Sequence, residues 1–251
     1  AIRKTGASPL FADVDTDHGL IDPASVEALF ASHRQRIRAI VPVHLYGRCA
    51  DMDAIMAIAR RHGVPVVEDC AQAHGAQWNA RNAGTFGAFG SFSFYPTKNL
   101  GAIGDGGALV TDDANLRERV CLLREYGWKQ RYVSDIEGGN SRLDELQAAI
   151  LDVKLTQLHE DNTARRRIAQ VYRKGIAHPG VDVFRGDDAG HVYHQFVVRA
   201  QARDALQTHL AALEIGSLIH YPAAIHQQPA YASPDYAPVP LPNTEHWAAT
   251  V

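Results

Sequence analysis

The sequence has no apolar run approaching the roughly 20 residues that a membrane-spanning helix needs, and its lysines and arginines are dispersed rather than clustered. With 25 basic against 28 acidic residues the formal net charge is −3, so the chain offers no basic surface for a nucleic-acid backbone or an anionic lipid. It has only three cysteines, at wide spacings, which indicates neither a disulfide framework nor a zinc knuckle. We therefore expect a cytoplasmic protein with no nucleic-acid partner and no membrane partner.

The first part of the sequence alternates apolar runs with capped helices. The runs that predict strands lie at 9–14, 37–45 and 64–67. Asp22 followed by Pro23 is typical of a helix start, and Asp51 and Gly63 bracket a second helix with one apolar face. Continuous apolar strands separated by such helices are typical of a parallel sheet covered on both faces. The predicted fold class is α/β.

The second part of the sequence predicts a different organisation. It contains short strands at 89–94 and 108–110 around a glycine-rich loop, a helix at 113–126, a long helical stretch at 142–175 that bends near 161–162, a strand at 194–198 and a helix at 202–216. The long stretch is interpreted as a connection between domains. We therefore predict a large domain over 1–142, connecting helices over 143–175 and a small domain over 176–251.

A parallel sheet gathers its ligands beyond the carboxyl ends of its strands, where we expect Asp69, His44 and the glycine loop after Tyr95 to converge. Asp69 directly follows an apolar run, where a buried carboxylate needs a cationic partner; it could equally be a helix cap. Lys98, one of only five lysines, lies between a predicted strand and a glycine-rich loop. An amine held there with a lowered pKa could attack a carbonyl group, whereas an ordinary exposed lysine would stay charged and inert.

Neither a standard phosphate loop nor a metal site is indicated. The glycines after Lys98 match neither GxGxxG nor GxxxxGK[ST]. His191 and His194 have the spacing HxxH, but the HExxH context is missing and no acid or thiol completes a set of ligands. We expect no metal.

Several motifs together resemble one family. They are VPVHLYGRCADMDAI, VVEDCAQAHGA, GTFGAFGSFSFYPTKNLGAIGDGGALVT, GWKQRYVSDIEGGNSRLDELQAAIL and HYPAAIHQQPAY, which occur in this order over nearly the whole chain. The sequence resembles the DegT/StrS-type sugar aminotransferases. The resemblance implies a fold type I pyridoxal 5′-phosphate (PLP) enzyme, with a mostly parallel sheet sandwiched by helices and a smaller C-terminal α+β domain.

The resemblance also assigns the cofactor residues. It implies that Lys98 is the catalytic residue, which binds the cofactor aldehyde covalently and then shuttles a proton between carbon centres. Asp69 would pair with the pyridinium nitrogen, Gln72 would lie beside the ring, and Ser93 would donate its hydroxyl to the phosphate. Asn140 would reach the phosphate of a neighbouring subunit, so the resemblance implies a homodimer with shared active sites.

For the substrate, the resemblance implies a nucleotide-linked ketosugar with glutamate as the amino donor. His220, Tyr221 and His226 would lie near the sugar nucleotide, although Ala224 stands where the family usually has proline. The motifs look most like members that aminate C3 of a dTDP-linked 3-keto-6-deoxyhexose. The alternatives are a C4 transaminase, a deoxysugar dehydratase and a non-catalytic regulatory or interaction module of the same fold. Lys98 argues against a dehydratase, because the dehydratase relatives carry histidine at this position.

The chain begins after a segment that, in family members, carries a Gly-Thr phosphate contact and an aromatic residue stacked on the cofactor. It also ends just before the family's final strand and helix. We therefore expect an internal fragment that by itself binds PLP weakly and does not turn over substrate.

Overall fold

The computed structural model describes residues 1–34, 36–184, 189–237 and 239–251. They form two compact units. The first unit contains Ala1–Arg36, Ile168–Asp187 and Phe196–Val251, and the second contains Ile37–Arg167 and Asp188–Gln195. The N-terminal segment thus belongs to the same unit as the C-terminal residues, whereas the predicted large domain begins at residue 1. The predicted division into a large domain over 1–142, connecting helices over 143–175 and a small domain over 176–251 stays a prediction.

The helices are α1 Pro23–His33, α2 Met52–His62, α3 Ala114–Arg124, α4 Glu145–Leu155, α5 Leu158–Gly175, α6 Arg203–Ala212 and α7 Pro242–Thr250. The two predicted helix starts are confirmed, since the carboxylates of Asp22 and Asp51 accept N-cap hydrogen bonds at α1 and α2. Gly63 ends α2 in the left-handed conformation. The long helical stretch breaks at 156–157, between α4 and α5, rather than near 161–162. No helix among the described residues is long and apolar enough to cross a membrane.

The strands are β1 Val67–Asp69, β2 Gln77–Trp78, β3 Arg81–Asn82, β4 Phe89–Ser93, β5 Gly107–Val110, β6 Trp128–Gln130, β7 Val133–Ser134, β8 Val181–Val183 and β9 Val198–Ala200. The central sheet has the order β1-β4-β5, with β1 and β4 parallel and β5 antiparallel to β4. The run at 37–45 adds two parallel bridges beside β1, Ile40 to Val66 and Val43 to Asp69, instead of a continuous strand. The run at 9–14 forms only a bridge between Val14 and Ile21.

Phe92 of β4 and Phe94, the residue directly after β4, organise the core of the second unit. Phe92 packs against a cluster of small buried residues: Cys49, Cys70, Ala73, Ala76, Ala83 and Val192. Phe94 packs against a second cluster that contains Leu100, Ala102 and Leu151. Because side chains alternate along an extended chain, Phe92 and Phe94 point to one side of the sheet and Ser91 and Ser93 point to the other.

In the first unit, Asp13 links the N-terminal segment to the start of α7. Its carboxylate accepts hydrogen bonds from the backbone N–H groups of Asn243 (3.1 Å) and Thr244 (2.8 Å). These N–H groups have no partner within the helix, so the carboxylate supplies the missing acceptors. Its negative charge also interacts favourably with the positive end of the helix dipole.

Candidate active site

Asp69 and Lys98 lie at one edge of the central sheet. Asp69 is the last residue of β1 and Ser93 is the last of β4, and because these strands are parallel their carboxyl ends meet at the same edge. Lys98 follows in the loop after β4, where its backbone N–H donates to the carbonyl of Tyr95 (2.9 Å). The structure therefore brings Asp69 and Lys98 to the same edge of the sheet, whereas the ring of His44, which we also expected there, is buried against Glu68.

The electrostatics of this edge suit a reactive amine. Burial lowers the pKa of Lys98, and the attraction of the Asp69 carboxylate opposes that shift without cancelling it. The amine makes no hydrogen bond within the part of the chain that the structure describes, so its nitrogen is available for chemistry. Asp69 accepts an N–H bond from Ala71 through Oδ1 (3.0 Å).

Gln72 and Ser93 lie beside this pair. Gln72 is buried, and its Oε1 accepts a hydrogen bond from the backbone N–H of Tyr46 (2.6 Å), which fixes the amide on the turn after β1. The Ser93 hydroxyl oxygen accepts the N–H of Tyr95 (3.3 Å), a bond that does not use the hydroxyl hydrogen.

The loop after Lys98 is held by close packing and by α4. A Cβ on Gly101 would lie 2.5 Å from the carbonyl oxygen of Pro96, so no other residue fits there without a shift. Gln147 of α4 donates to the carbonyl of Asp105 (3.0 Å), and the Lys154 amine donates to the carbonyl of Gly101. The glycine-rich loop therefore supports the turn that carries Lys98.

The other predicted site residues lie on other segments of the chain. Asn140 is in the same unit as Lys98; it is exposed, and its Oδ1 accepts a hydrogen bond from Arg142 (3.0 Å). His220, Tyr221 and His226 belong to the first unit. There His220 and Tyr221 have rings 5.2 Å apart, and His226 Nε2 lies 3.0 Å from a carboxylate oxygen of Glu245.

Sequence reasoning missed a buried carboxylate next to Asp69. Glu68 is completely buried and points to the opposite side of β1. Its Oε1 accepts the N–H groups of Phe86 and Gly87, both at 2.7 Å. Its Oε2 accepts from Gly84 N–H (2.7 Å) and from His44 Nε2 (3.0 Å). Burial raises the pKa of Glu68, but the hydrogen bonds from His44, Gly87 and Gly84 together outweigh burial and hold it below its usual value.

His44, Glu68 and Cys70 place three potential metal-ligand atoms within 4.8 Å of one another. Hydrogen bonds already use the side-chain atoms of His44 and Glu68, however. His44 Nδ1 accepts the N–H of Ala50 (3.1 Å), so Nε2 carries the proton that Glu68 accepts. Burial raises the pKa of the Cys70 thiol, which keeps it protonated. The cluster is a hydrogen-bonded anchor for the loop that starts at Gly84.

His74 is a second buried residue that the sequence did not single out. It is 3% exposed, and its ring lies 5.4 Å from that of Phe92 and 6.0 Å from that of Phe94. Neither ring nitrogen makes a hydrogen bond of good geometry to a residue in the described ranges. Burial lowers the pKa of His74 to about 4, although the nearby main chain of Ser93 opposes this; the charge of Lys98 adds to the lowering.

We expect His74 to make the protein acid-sensitive between about pH 6.5 and 4. In this window His74 is protonated in the unfolded chain but stays neutral in the folded protein. The free energy of unfolding therefore falls as the pH falls, by on the order of 3 kcal/mol at the lower end. His74→Phe fits the aromatic surroundings and should flatten this part of the curve of unfolding free energy against pH, measured with urea. The matched control is His209→Phe on the exposed side of α6. Curves of equal slope for parent and His74→Phe would refute the assignment.

Comparison with known proteins agrees with this fold. The whole chain, residues 1–251, matches the DegT/DnrJ/EryC1/StrS aminotransferase family. It is 45% identical to dTDP-3-amino-3,4,6-trideoxy-alpha-D-glucose transaminase of Streptomyces venezuelae, over 100% of this chain and 66% of that protein. It is 44% identical to a pleiotropic regulatory protein of Geobacillus stearothermophilus, over 98% of this chain and 66% of that protein.

A solved structure, S. venezuelae DesV in complex with a ketimine intermediate, superposes with a TM-score of 0.92 at 45% identity. The match covers 99% of this chain and 67% of that one. The fold is therefore that of the fold type I PLP-dependent aminotransferases, as predicted. The chain belongs to the DegT/DnrJ/EryC1/StrS aminotransferase family, and it spans about two thirds of the length of these relatives.

Proposed function

We propose that the protein is a PLP-dependent aminotransferase that aminates a nucleotide-linked ketosugar with glutamate as the amino donor, in deoxyaminosugar biosynthesis. The observation that carries the proposal is the half-buried Lys98 amine beside the Asp69 carboxylate at the carboxyl edge of the sheet. Membership of an aminotransferase family supports this use of the pair.

The residues at this edge fit PLP in number and in chemistry. Asp69 Oδ2 has no partner among the described residues and would accept a hydrogen bond from the protonated ring nitrogen. The Ser93 hydroxyl would donate to the phosphate, the amide of Gln72 would lie against the ring, and Lys98 would hold the aldehyde carbon. The Asp69 carboxylate, the Ser93 hydroxyl and the Lys98 amine therefore match the ring nitrogen, the phosphate and the aldehyde of the cofactor.

Each protein residue then has a defined task in the transfer. When bound, PLP withdraws electrons from the substrate carbon that loses a proton. The Lys98 amine, whose pKa is lowered, takes that proton at its nitrogen and returns it to another carbon. Asp69 would accept the hydrogen bond from the protonated ring nitrogen through Oδ2, which has no other partner among the described residues. His220, Tyr221 and His226 are proposed to contact the sugar nucleotide.

We infer C3 of a dTDP-linked 3-keto-6-deoxyhexose as the position aminated, because the S. venezuelae relative is named for a 3-amino sugar linked to dTDP. Amination at C4 by the same residues is the alternative within this reaction. We also propose a cytoplasmic location, since Cys49, Cys70 and Cys121 are free thiols, which are typical of a reducing compartment.

A non-catalytic regulatory module is the second candidate, favoured by the name of the G. stearothermophilus relative. The intact set of Asp69, Gln72, Ser93 and Lys98 argues against it. The two functions are separated by incubating the natural gene product with PLP, glutamate and a dTDP-linked 3-ketosugar. We expect a yellow protein, 2-oxoglutarate and an aminated sugar nucleotide. A protein that binds PLP but forms neither product would contradict the proposal.

We also propose a homodimer in which Asn140 completes the site of the partner subunit. The exposure of Asn140 supports this, since its side chain lies at a surface that another chain could cover. Mixing Asn140→Ala subunits with Lys98→Ala subunits should restore about a quarter of the parent activity, because half of the dimers are hybrids with one intact site each.

The control for this experiment is to mix each variant with itself, which should restore nothing. Hybrid dimers that are shown to form by mass spectrometry and yet remain inactive would mean that each site is built from a single chain.

A further inference from the structure

The residue after Lys98 carries a buried amide. Asn99 is 8% exposed, and its Nδ2 donates to Oδ1 of Asn162 (2.9 Å) and to the backbone carbonyl of Val192 (3.0 Å). Its Oδ1 lies 3.1 Å from Nδ1 of His194. Because a carbonyl only accepts, the bond to Val192 fixes which atom of the amide is nitrogen. His194 must then carry its hydrogen on Nδ1.

Asn162 extends this network to the other side of the site. It lies in α5 and is 3% exposed, and its Nδ2 donates to the backbone carbonyl of His74 (2.8 Å). The approach is close, since a Cβ on Gly75 would lie 2.9 Å from the same nitrogen. The buried amide of Asn162 is thus hydrogen-bonded both to the turn that follows Lys98 and to the turn that carries Gln72.

The Lys98 side chain has no such anchor of its own. Its amine makes no hydrogen bond within the described ranges, so the backbone turn decides where the amine lies. Among the described residues, the Asp69 carboxylate is the charged group that acts on the amine, and the charge of the amine acts in turn on the buried His74 ring. A small outward movement of the turn would take the amine away from both groups and into water.

We infer that Asn99, Asn162 and His194 are positioning residues that hold the Lys98 amine at the edge of the sheet. The network fixes the distance between the turn that carries the amine and the turn after β1 that carries Gln72. This inference rests on the proposed function, because the placement of Lys98 matters for the reaction that Lys98 is proposed to perform. The three residues touch neither cofactor nor substrate in this role.

The test measures the acid-base behaviour of Lys98 in the full chain after removal of any bound PLP. Trace acetylation with acetic anhydride at a series of pH values, followed by mass spectrometry, gives the pH midpoint of each lysine, with exposed Lys129 as the internal reference. In Asn99→Leu the midpoint of Lys98 should rise toward that of Lys129, because the amine moves from a partly buried position into water. Asn162→Ala, which suits a helix, should shift it in the same direction.

Two controls separate positioning from general destabilisation. Ile55→Ala empties a fully buried position in α2 outside the network and should lower the melting temperature without moving the Lys98 midpoint. His194→Asn keeps an N–H donor toward Asn99 and should keep the parent midpoint. If Asn99→Leu does not fold, Asn162→Ala decides the question.

The inference is overturned if Asn99→Leu and Asn162→Ala lower the melting temperature but leave the Lys98 midpoint at the parent value, as Ile55→Ala is expected to do. Because the measurement contains no PLP, it is independent of the proposed function. Failure of PLP to couple to Lys98 in the parent would contradict the function alone, and an unmoved midpoint would contradict the positioning role alone.

Discussion

Lys98→Ala is expected to abolish covalent capture of PLP and to lower transamination by at least about 10⁴-fold in the natural gene product, since the amine acts both as the attachment point and as the base. The fold should survive, because the Lys98 side chain makes no hydrogen bond to the described residues. The measurement is borohydride reduction in saturating PLP followed by peptide mapping, which should place the pyridoxyl group on Lys98 in the parent and on no peptide in the variant.

The matched control for this prediction is Lys129→Ala, which removes an exposed amine paired with Glu118 at 3.6 Å. It should leave both labelling and activity at the parent level. Recovery of the pyridoxyl group on Lys129 or Lys154 in the parent would contradict the assignment of Lys98. An unfolded Lys98→Ala protein would show that the side chain has a structural role that its contacts do not indicate.

Glu68→Gln should lower the free energy of unfolding by about 3–5 kcal/mol, the largest stability effect we expect from one side chain in this protein. The parent carboxylate accepts four hydrogen bonds, and a carboxamide can replace only one of its oxygens as an acceptor. The NH₂ group of the glutamine would face either the N–H groups of Phe86 and Gly87 or those of Gly84 and His44. In both cases N–H donors would point at each other inside the protein, with no acceptor between them. Urea unfolding midpoints at neutral pH measure the loss.

The control is Glu118→Gln, which changes an exposed carboxylate paired with Lys129 and should cost less than about 1 kcal/mol. The effect of Glu68→Gln should also depend on pH. Because the pKa of Glu68 is lowered in the folded protein, its contribution is complete above the unfolded value and is lost as the pH falls through the folded value. Parent and variant should therefore converge in acid, and a constant difference down to low pH would refute this explanation.

Local patterns in the sequence were sufficient for the elements that local chemistry controls. The starts of α1 and α2 follow from Asp22 and Asp51, because an N-cap carboxylate satisfies N–H groups only two or three residues away. Lys98 could be singled out in the same way, from its place between a strand and a glycine-rich loop. The family and its PLP chemistry followed from the order of the motifs.

The sequence by itself thus determined the class of fold, the capped helices and the acid and amine at the edge of the sheet. Only the tertiary structure decided the environment of Glu68, because its N–H donors lie 16 to 19 residues away, and that of Asn99, whose partner Asn162 is 63 residues away. It also decided that the run at 37–45 contributes two bridges rather than a strand. Burial and hydrogen bonds between residues that are far apart in the sequence depend on how the helices and strands pack. A local pattern of residue types does not determine that packing.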